Sequence, residues 1–229
     1  MTATLRAFTS ASSATTSYTC NRPTVVAGDL MLAFQSADTG TLANMTTPTG
    51  GATWSLLTSR TWGSGAGGKV WWKFADSAEP STYGFAQGSG ADGVTIIASI
   101  SDTSTSLPVF ADTGSDVASA TVATPSVTPT GADDLELRFA TAAGSGGAVT
   151  WTSPATYTQQ TQVQSTTFTT GVLATKALSS GSATGTQNFT LSASKSRNLG
   201  FTVAVAGVSF VPPRPILIVQ PAVQRAAFY

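Results

Sequence analysis

The chain has 229 residues, with 11 Lys and Arg, 11 Asp and Glu, no His and a single Cys. Chains of this size bury roughly 70% of their extended surface on folding, so a sizeable core needs no disulfide or structural metal. Without His there is no Ser-His-Asp or Cys-His relay and no imidazole metal site, and Cys20 alone forms neither an internal disulfide nor a thiolate zinc site.

Charged residues make up 10% of the chain, against about 25% in typical proteins. The basic residues are scattered singly and form no stripe that could neutralise successive phosphates, which argues against a nucleic-acid partner. Weak self-repulsion also permits close packing of many copies. The first ten residues, MTATLRAFTS, lack a signal-peptide pattern, and no apolar run is long enough to cross a membrane. We therefore expect a protein made in the cytosol.

The local texture is that of an all-β protein. Thr and Ser are abundant, and 22 Gly and 11 Pro separate short apolar runs. The sequence predicts strands, in chain order, at 5–8, 30–35, 55–61, 69–74, 82–87, 94–101, 135–140, 157–165, 169–177, 187–192 and 201–210.

One predicted strand alternates with period two. Leu135, Leu137 and Phe139 should face one side of a sheet. Glu136 and Arg138 point the other way, so we expect them to face water.

Four sequence blocks recur in the same order after roughly a hundred residues, the signature of two diverged copies of one unit. The blocks are GDLMLAF (28–34) with DDLELRF (133–139), PTGGATW (48–54) with WTSPATY (151–157), VWWKFA (70–75) with VLATKA (172–177), and VTIIASI (94–100) with FTVAVAG (201–207). This predicts a first repeat at about 28–102, a crossover at 103–130 and a second repeat at about 131–210.

A four-stranded unit with one apolar face cannot close its own core. We therefore predict that the two copies face each other over residues 1–210, as an antiparallel β-sandwich of about eight principal strands. The sequence leaves open a jelly-roll-like topology or two hairpin meanders. Two separate small domains would be less stable. In the crossover, 112–121 should be loop, and 122–127 could add an edge strand.

The last 19 residues break this pattern, because a Pro-rich stem leads to four consecutive branched aliphatic residues. One interpretation is an extended arm, 211–229, that docks on a neighbouring subunit. The alternative is an edge strand that folds back on its own sandwich. The arm contacts are predicted at Pro212, Pro213, Arg214, Pro215, Ile216, Leu217, Ile218, Val219, Phe228 and Tyr229.

Other residue patterns give weak signals for chemistry. The carboxylates group as Asp112 with Asp116, Asp133 and Asp134 with Glu136, and Asp76 with Glu79, without the spacing of a metal loop. Several occupy predicted turns, where Asp is common. The sequence thus predicts no catalytic residues, no metal and no cofactor.

The five Trp residues offer possible platforms for sugars or subunits. Adjacent Trp71 and Trp72 should point to opposite faces of their strand, so at most one lies in the core. We consider Trp62 and Trp72 as possible surface aromatic contacts. A surface carbohydrate-binding or adhesion module, as in a minor tail protein, is therefore an alternative function.

Several segments between residues 28 and 229 also resemble those of a known class of proteins. They are 28–34 (GDLMLAF), 51–54 (GATW), 70–73 (VWWK), 95–98 (TIIA) and the tail segment 212–220 (PPRPILIVQ). Together they resemble β-sandwich virion structural proteins of tailed phages that infect actinobacteria, classed as minor capsid, decoration or minor tail proteins. The resemblance implies a non-enzymatic capsid decoration or minor capsid protein, assembled in the host cytoplasm and resident in the virion. Its expected partners are the major capsid protein or other virion proteins, and copies of itself.

Overall fold

The computed structural model describes residues 1–208, apart from 39, 40, 63, 64, 66, 89, 90, 146 and 167. The described chain consists of antiparallel strands and one 3-10 turn at Leu42–Asn44, which confirms the all-β prediction. The strands are β1 (Thr4–Ser13), β2 (Ser17–Asn21), β3 (Leu30–Ala37), β4 (Ser55–Thr61), β5 (Gly67–Phe74), β6 (Thr82–Ala86), β7 (Gly93–Ser101), β8 (Val109–Ser115), β9 (Ser119–Thr124), β10 (Leu135–Ala143), β11 (Trp151–Thr152), β12 (Thr158–Ser165), β13 (Thr169–Ala177), β14 (Gln187–Lys195) and β15 (Arg197–Val205).

The strands form two equivalent units. In the first unit, β1–β7, a five-stranded sheet has the order β1-β7-β3-β5-β4, and β2 pairs with β6 in a small outer sheet. In the second unit, β8–β15, the five-stranded order is β8-β15-β10-β13-β12, and β14 pairs with β9 and β11 in the outer sheet. Neighbouring strands are mostly not consecutive in sequence, so the meander alternative is wrong.

The two units also match in register and in turn structure. Leu30 pairs with Ile100 in the first unit as Leu135 pairs with Val205 in the second. Just before each of these strands, an aspartate carboxylate accepts the backbone N–H of the residue three positions earlier, 2.9 Å for Asp29 and 3.3 Å for Asp134. The same short motif therefore starts the central strand of each unit.

The units are larger than the predicted repeats. The first unit includes β1 and β2, which precede residue 28, and the segment predicted as a crossover, 103–130, contains β8 and β9. The expected loop at 112–121 is therefore wrong. In β8 the small residues Asp112, Thr113 and Gly114 are all half-buried, so the strand shows no contrast between an apolar and a polar face.

The four sheets stack as four layers. The two five-stranded sheets face each other over a central core, where the rings of Phe34 and Phe139 lie 5.2 Å apart between their centroids. On the far side of each five-stranded sheet, a small outer sheet covers a second core. Tyr83 and Phe85 lie in the core of the first unit, and Phe189 lies in that of the second.

Because each five-stranded sheet is covered on both faces, its central strands are buried along their whole length. The expectation that Glu136 and Arg138 face water is wrong, since both side chains are fully buried. The alternation in β10 correctly separates two faces. Its polar face, however, lies under the outer sheet formed by β9 and β14.

Candidate attachment surface

The predicted arm, residues 211–229, lies outside the described residues, and its contacts stay predictions. The chain before it is held firmly. The Val208 N–H donates to the Asp102 carbonyl at 3.0 Å, and the Val208 carbonyl accepts from the Met1 amino group. Gly207 forms a bridge with Thr103, and a Cβ at this glycine would meet the Asp133 carbonyl oxygen at 2.4 Å. The point from which the arm leaves the described body is therefore well defined.

A groove of about 680 Å³ adjoins this point. Its described walls are the linker between the two units at 103–106, the turn at 130–134 and the last described segment at 206–208. Three apolar side chains at this end are exposed: Met1 is 66%, Leu107 56% and Val208 37% exposed. We call the groove formed by 103–106, 130–134 and 206–208 the exit groove.

Two carboxylates, Asp133 and Asp134, line the exit groove, and Asp102 directly precedes one of its wall segments in sequence. Asp134 is buried, and its carboxylate accepts the Thr130 N–H at 2.7 Å, which makes it the turn residue that the sequence predicts. Asp133 is exposed and accepts a hydrogen bond from the Thr2 hydroxyl at 3.0 Å. Asp102 is exposed in a left-handed conformation with φ 58°. Among the described residues, no Lys or Arg forms an ion pair with Asp102 or Asp133.

The structure corrects the prediction for Trp62 as a surface contact. Its side chain is 1% exposed, belongs to the central core and donates its indole N–H to the Ala37 carbonyl at 2.8 Å. Trp72 is half-buried, with its ring edge-on to Phe74 at 5.9 Å between centroids. The two residues therefore do not form a shared exposed platform for a sugar.

The other Trp side chains contribute to the outer cores. Trp71 packs in the core of the first unit, whereas Trp72 packs against the central core, so the prediction of opposite faces is confirmed. Trp71 donates to the Gln35 side chain at 3.3 Å and Trp151 to the Thr170 hydroxyl at 2.9 Å. Trp54 lies edge-on to Tyr83. These roles are structural.

Sequence reasoning missed a buried ionic cluster in the first unit. Lys73 Nζ and the Tyr83 hydroxyl both donate to Glu79 Oε2, at 2.5 and 2.6 Å. The ammonium group also lies 5.0 Å from the ring centroid of Trp54. Burial alone would raise the pKa of Glu79, but the hydrogen bonds from Lys73, Tyr83 and the Asp76 N–H outweigh it and lower the pKa. Glu79 is therefore ionised at neutral pH.

The second unit holds a different ionic cluster. Arg138 donates to Glu136 Oε1 at 2.7 Å, and the Tyr157 hydroxyl donates to Glu136 Oε2 at 2.5 Å. The Arg138 Nε–H donates to the Tyr157 hydroxyl at 3.0 Å, and other guanidinium N–H groups donate to the backbone carbonyls of Thr124 and Gly185, both at 2.8 Å. Burial and the hydrogen bond to Glu136 raise the pKa of Tyr157. Arg138 thus ties the outer sheet to the inner one.

Neither cluster contributes residues to the exit groove, since their groups are used in internal pairs beneath the outer sheets. The Asp112 carboxylate accepts a hydrogen bond from the Thr58 hydroxyl at 2.6 Å, between the strands β4 and β8. Asp116, with which the sequence groups it, is exposed and lies outside this contact.

Burial raises the pKa of the Cys20 thiol to about 11, so this thiol is not a thiolate at neutral pH. In the part of the chain that the structure describes, no group of three or more Cys, Asp or Glu could hold a metal ion.

Burial of charge leaves the surface of the body even less charged than the composition indicates. The buried charged side chains are Asp29, Asp38, Lys73, Glu79, Asp134, Glu136, Arg138 and Lys195. These are eight of the 22 charged side chains in the sequence. A surface of this kind offers little charge repulsion to neighbouring subunits.

Comparisons with known protein families, with curated proteins and with solved structures find no match to this chain. Within the described ranges, no helix is long and apolar enough to cross a membrane.

Proposed function

We propose that the chain is a non-enzymatic structural protein of a phage virion, most specifically a capsid decoration or minor capsid protein. In this proposal residues 211–229 attach the body to neighbouring subunits, either the major capsid protein or other virion proteins. The protein assembles in the host cytoplasm and then resides in the virion.

One observation carries the proposal. Each of the three large cores of the body lies between two sheets of described strands. The apolar segment Ile216–Val219 is therefore not needed to close any of them, although its side chains favour burial. An apolar segment that the three described cores do not need for closure is suited to burial against another molecule.

The charge-poor surface and the internal pairing of the buried charges also support a structural role. Attachment would depend on apolar area removed from water, about 25 cal/mol per Å², multiplied over many copies on a symmetric particle. Such binding needs neither a catalytic group nor a cofactor.

The test uses the full chain with Ile216→Asp and Ile218→Asp, which place charges in the arm. We expect this variant to be folded, judged by circular dichroism, and to be lost from purified virions after infection. The matched control is Val117→Asp, which puts a charge on an exposed apolar residue of the body, 70% exposed. Normal incorporation of the arm variant would disprove attachment through the arm, and imaging of the labelled protein distinguishes shell from tail.

A further inference from the structure

We propose that the free edge of β8 pairs with the β8 edge of a second copy of this chain, antiparallel and about a two-fold axis. The pairing joins the second units of the two copies through one continuous sheet. It is a contact between bodies that does not depend on residues 211–229, so it goes beyond the proposed attachment through the arm.

The edge of β8 is the least protected edge of the two large sheets. Of their four edge strands, all described along their whole length, β1, β4 and β12 carry a register irregularity, whereas β8 pairs regularly with β15. Bulges keep an edge strand from pairing with another chain, and so do Pro and Lys on the edge. β8 contains no Pro, Lys or Arg. Its outer backbone groups are therefore suited to strand addition.

The equivalent edge in the first unit is covered. There β1 takes the position of β8, and the Thr9 hydroxyl donates to the Asn21 carbonyl at 2.5 Å, which joins β1 to β2. In the second unit a groove of about 340 Å³ lies between β8 and β9, with residues 113–115 on one wall and 121–123 on the other. The outer sheet thus leaves this side of β8 accessible.

Charge favours a second copy as the partner. Arg60 and Asp112 are the only charged residues of β4 and β8, the two edge strands on this side of the body. The Asp112 carboxylate accepts a hydrogen bond from the Thr58 hydroxyl at 2.6 Å and lies 3.6 Å from Arg60. A two-fold axis at Asp112 brings two carboxylates and two guanidinium groups together, so the edges of two copies are complementary in charge.

The exposed apolar residues at this edge are also self-complementary. Leu107, Phe110 and Val117 are three of the nine large apolar side chains that are exposed among the described residues. Leu107 precedes Asp112 by five positions, and Val117 follows it by five. An antiparallel pair centred on Asp112 therefore brings Leu107 of one copy to Val117 of the other at both ends. Their burial favours association, and such an isologous contact closes as a dimer.

The test measures the dimer dissociation constant of the full chain by sedimentation equilibrium. Phe110→Lys places a charge on the edge of β8, and we expect it to weaken the dimer at least about tenfold. The matched control is Phe8→Lys, because Phe8 holds the equivalent position on β1 and is 36% exposed, against 38% for Phe110. This control should leave the dissociation constant unchanged, and circular dichroism checks that both variants fold.

Two further variants test the same contact if Phe110→Lys does not fold. Val117→Asp changes a largely exposed side chain, so it should weaken the dimer at least about fivefold while incorporation into virions stays normal. Arg60→Gln leaves the two Asp112 carboxylates facing each other without their cations. This variant should weaken the dimer at low salt and recover in part at high salt, where the repulsion is screened.

A wild-type chain that is monomeric throughout, or equal effects of Phe110→Lys and Phe8→Lys, would overturn the inference. A dimer that is lost in Ile216→Asp with Ile218→Asp but is insensitive to the β8 variants would also overturn it, because the arm would then be the contact. Normal incorporation of that arm variant into virions contradicts the proposed function and leaves the β8 dimer untouched.

Discussion

Arg138 and Glu136 form an ion pair at zero exposure, so neither charge can be removed without leaving the other in a low-dielectric site. We predict that Arg138→Met lowers the free energy of unfolding by about 3–5 kcal/mol, because Glu136 loses its cation and several carbonyls lose their donors. Replacing both partners, Glu136→Leu with Arg138→Met, should cost much less than the two single changes added together. Urea denaturation of the three variants measures this.

The control for that prediction is the pair between Arg60 and Asp112, at 3.6 Å, where the Arg60 side chain is 48% exposed. Arg60→Met should cost less than about 1 kcal/mol, because solvent screens an exposed pair. Equal losses for the buried and the exposed pair would show that burial does not set the cost.

Glu79 should make part of the stability depend on pH. Its pKa is lowered in the fold from an ordinary value of 4.5, so the ionised form is the one that folding favours. This contribution is complete above the unfolded pKa and is lost as the pH falls through the lower folded pKa. We predict that Glu79→Gln lowers stability at pH 7 and flattens the acid loss below about pH 4.5, as measured by unfolding between pH 2 and 7.

Asp38 is the control for Glu79, because its pKa is shifted in the opposite direction. Burial raises its pKa, so the fold favours its protonated form. Its contribution is present below the unfolded pKa and is lost as the pH rises through the folded pKa. Asp38→Asn should therefore change the pH profile in the reverse sense to Glu79→Gln. The same direction of change in both variants would contradict the assignment.

At the scale of elements, glycines at equivalent positions of β5 and β13 allow the two large sheets to approach. A Cβ at Gly68 would lie 3.0 Å from the ring of Phe201 in the opposite sheet. One at Gly171 would lie 2.9 Å from the ring of Phe139 in its own sheet and 3.2 Å from Val94 in the opposite sheet. We predict that Gly68→Ala and Gly171→Ala each destabilise the protein by about 1–3 kcal/mol, through overpacking of the central core. Thermal unfolding measures the loss.

Gly181→Ala is the matched control, because its Cβ would have no neighbour closer than 3.6 Å. It should change stability by less than about 0.5 kcal/mol. Combining Gly68→Ala with Phe201→Leu should cost less than the sum of the two single changes, since the smaller side chain makes room. Strict additivity would indicate that the two positions do not touch.

The sequence predicts strands that carry a strong apolar run or a polarity contrast between their two faces, and it fails where both signals are absent. The strong apolar runs of β3, β7 and β10 are found at nearly their observed positions. β8 is missed because its middle residues, 111–114, are small and all half-buried, so the strand shows neither an apolar run nor a polar and an apolar face. In β10 the alternation is read correctly, but a single sequence does not show that an outer sheet covers the polar face.

At the scale of the whole molecule, the candidate site also has one part that the sequence predicts and one part that it does not. The arm is recognised from composition alone, because Pro-rich and branched aliphatic residues are conspicuous together. The exit groove is not recognised from the sequence, since Asp133 looks like an ordinary turn residue until the linker at 103–106 and the segment at 206–208 are placed beside it. The surface prediction for Trp62 is wrong, because the fold turns this residue, which follows a strand in a Gly-rich region, into the central core.

The two units should unfold together, because the central core is built from both of them. Phe189→Ala removes a ring from the outer core of the second unit and should lower the free energy of unfolding by about 3–5 kcal/mol. The variant therefore tests whether destabilising one unit also destabilises the other. Four of the five Trp residues, namely Trp54, Trp62, Trp71 and Trp72, lie in the first unit, so Trp fluorescence reports mainly on the unmutated half. We predict that the fluorescence and circular dichroism midpoints of this variant fall by the same amount in a single transition. An unchanged fluorescence midpoint, with a separate earlier step in circular dichroism, would mean that each unit is stable without its partner.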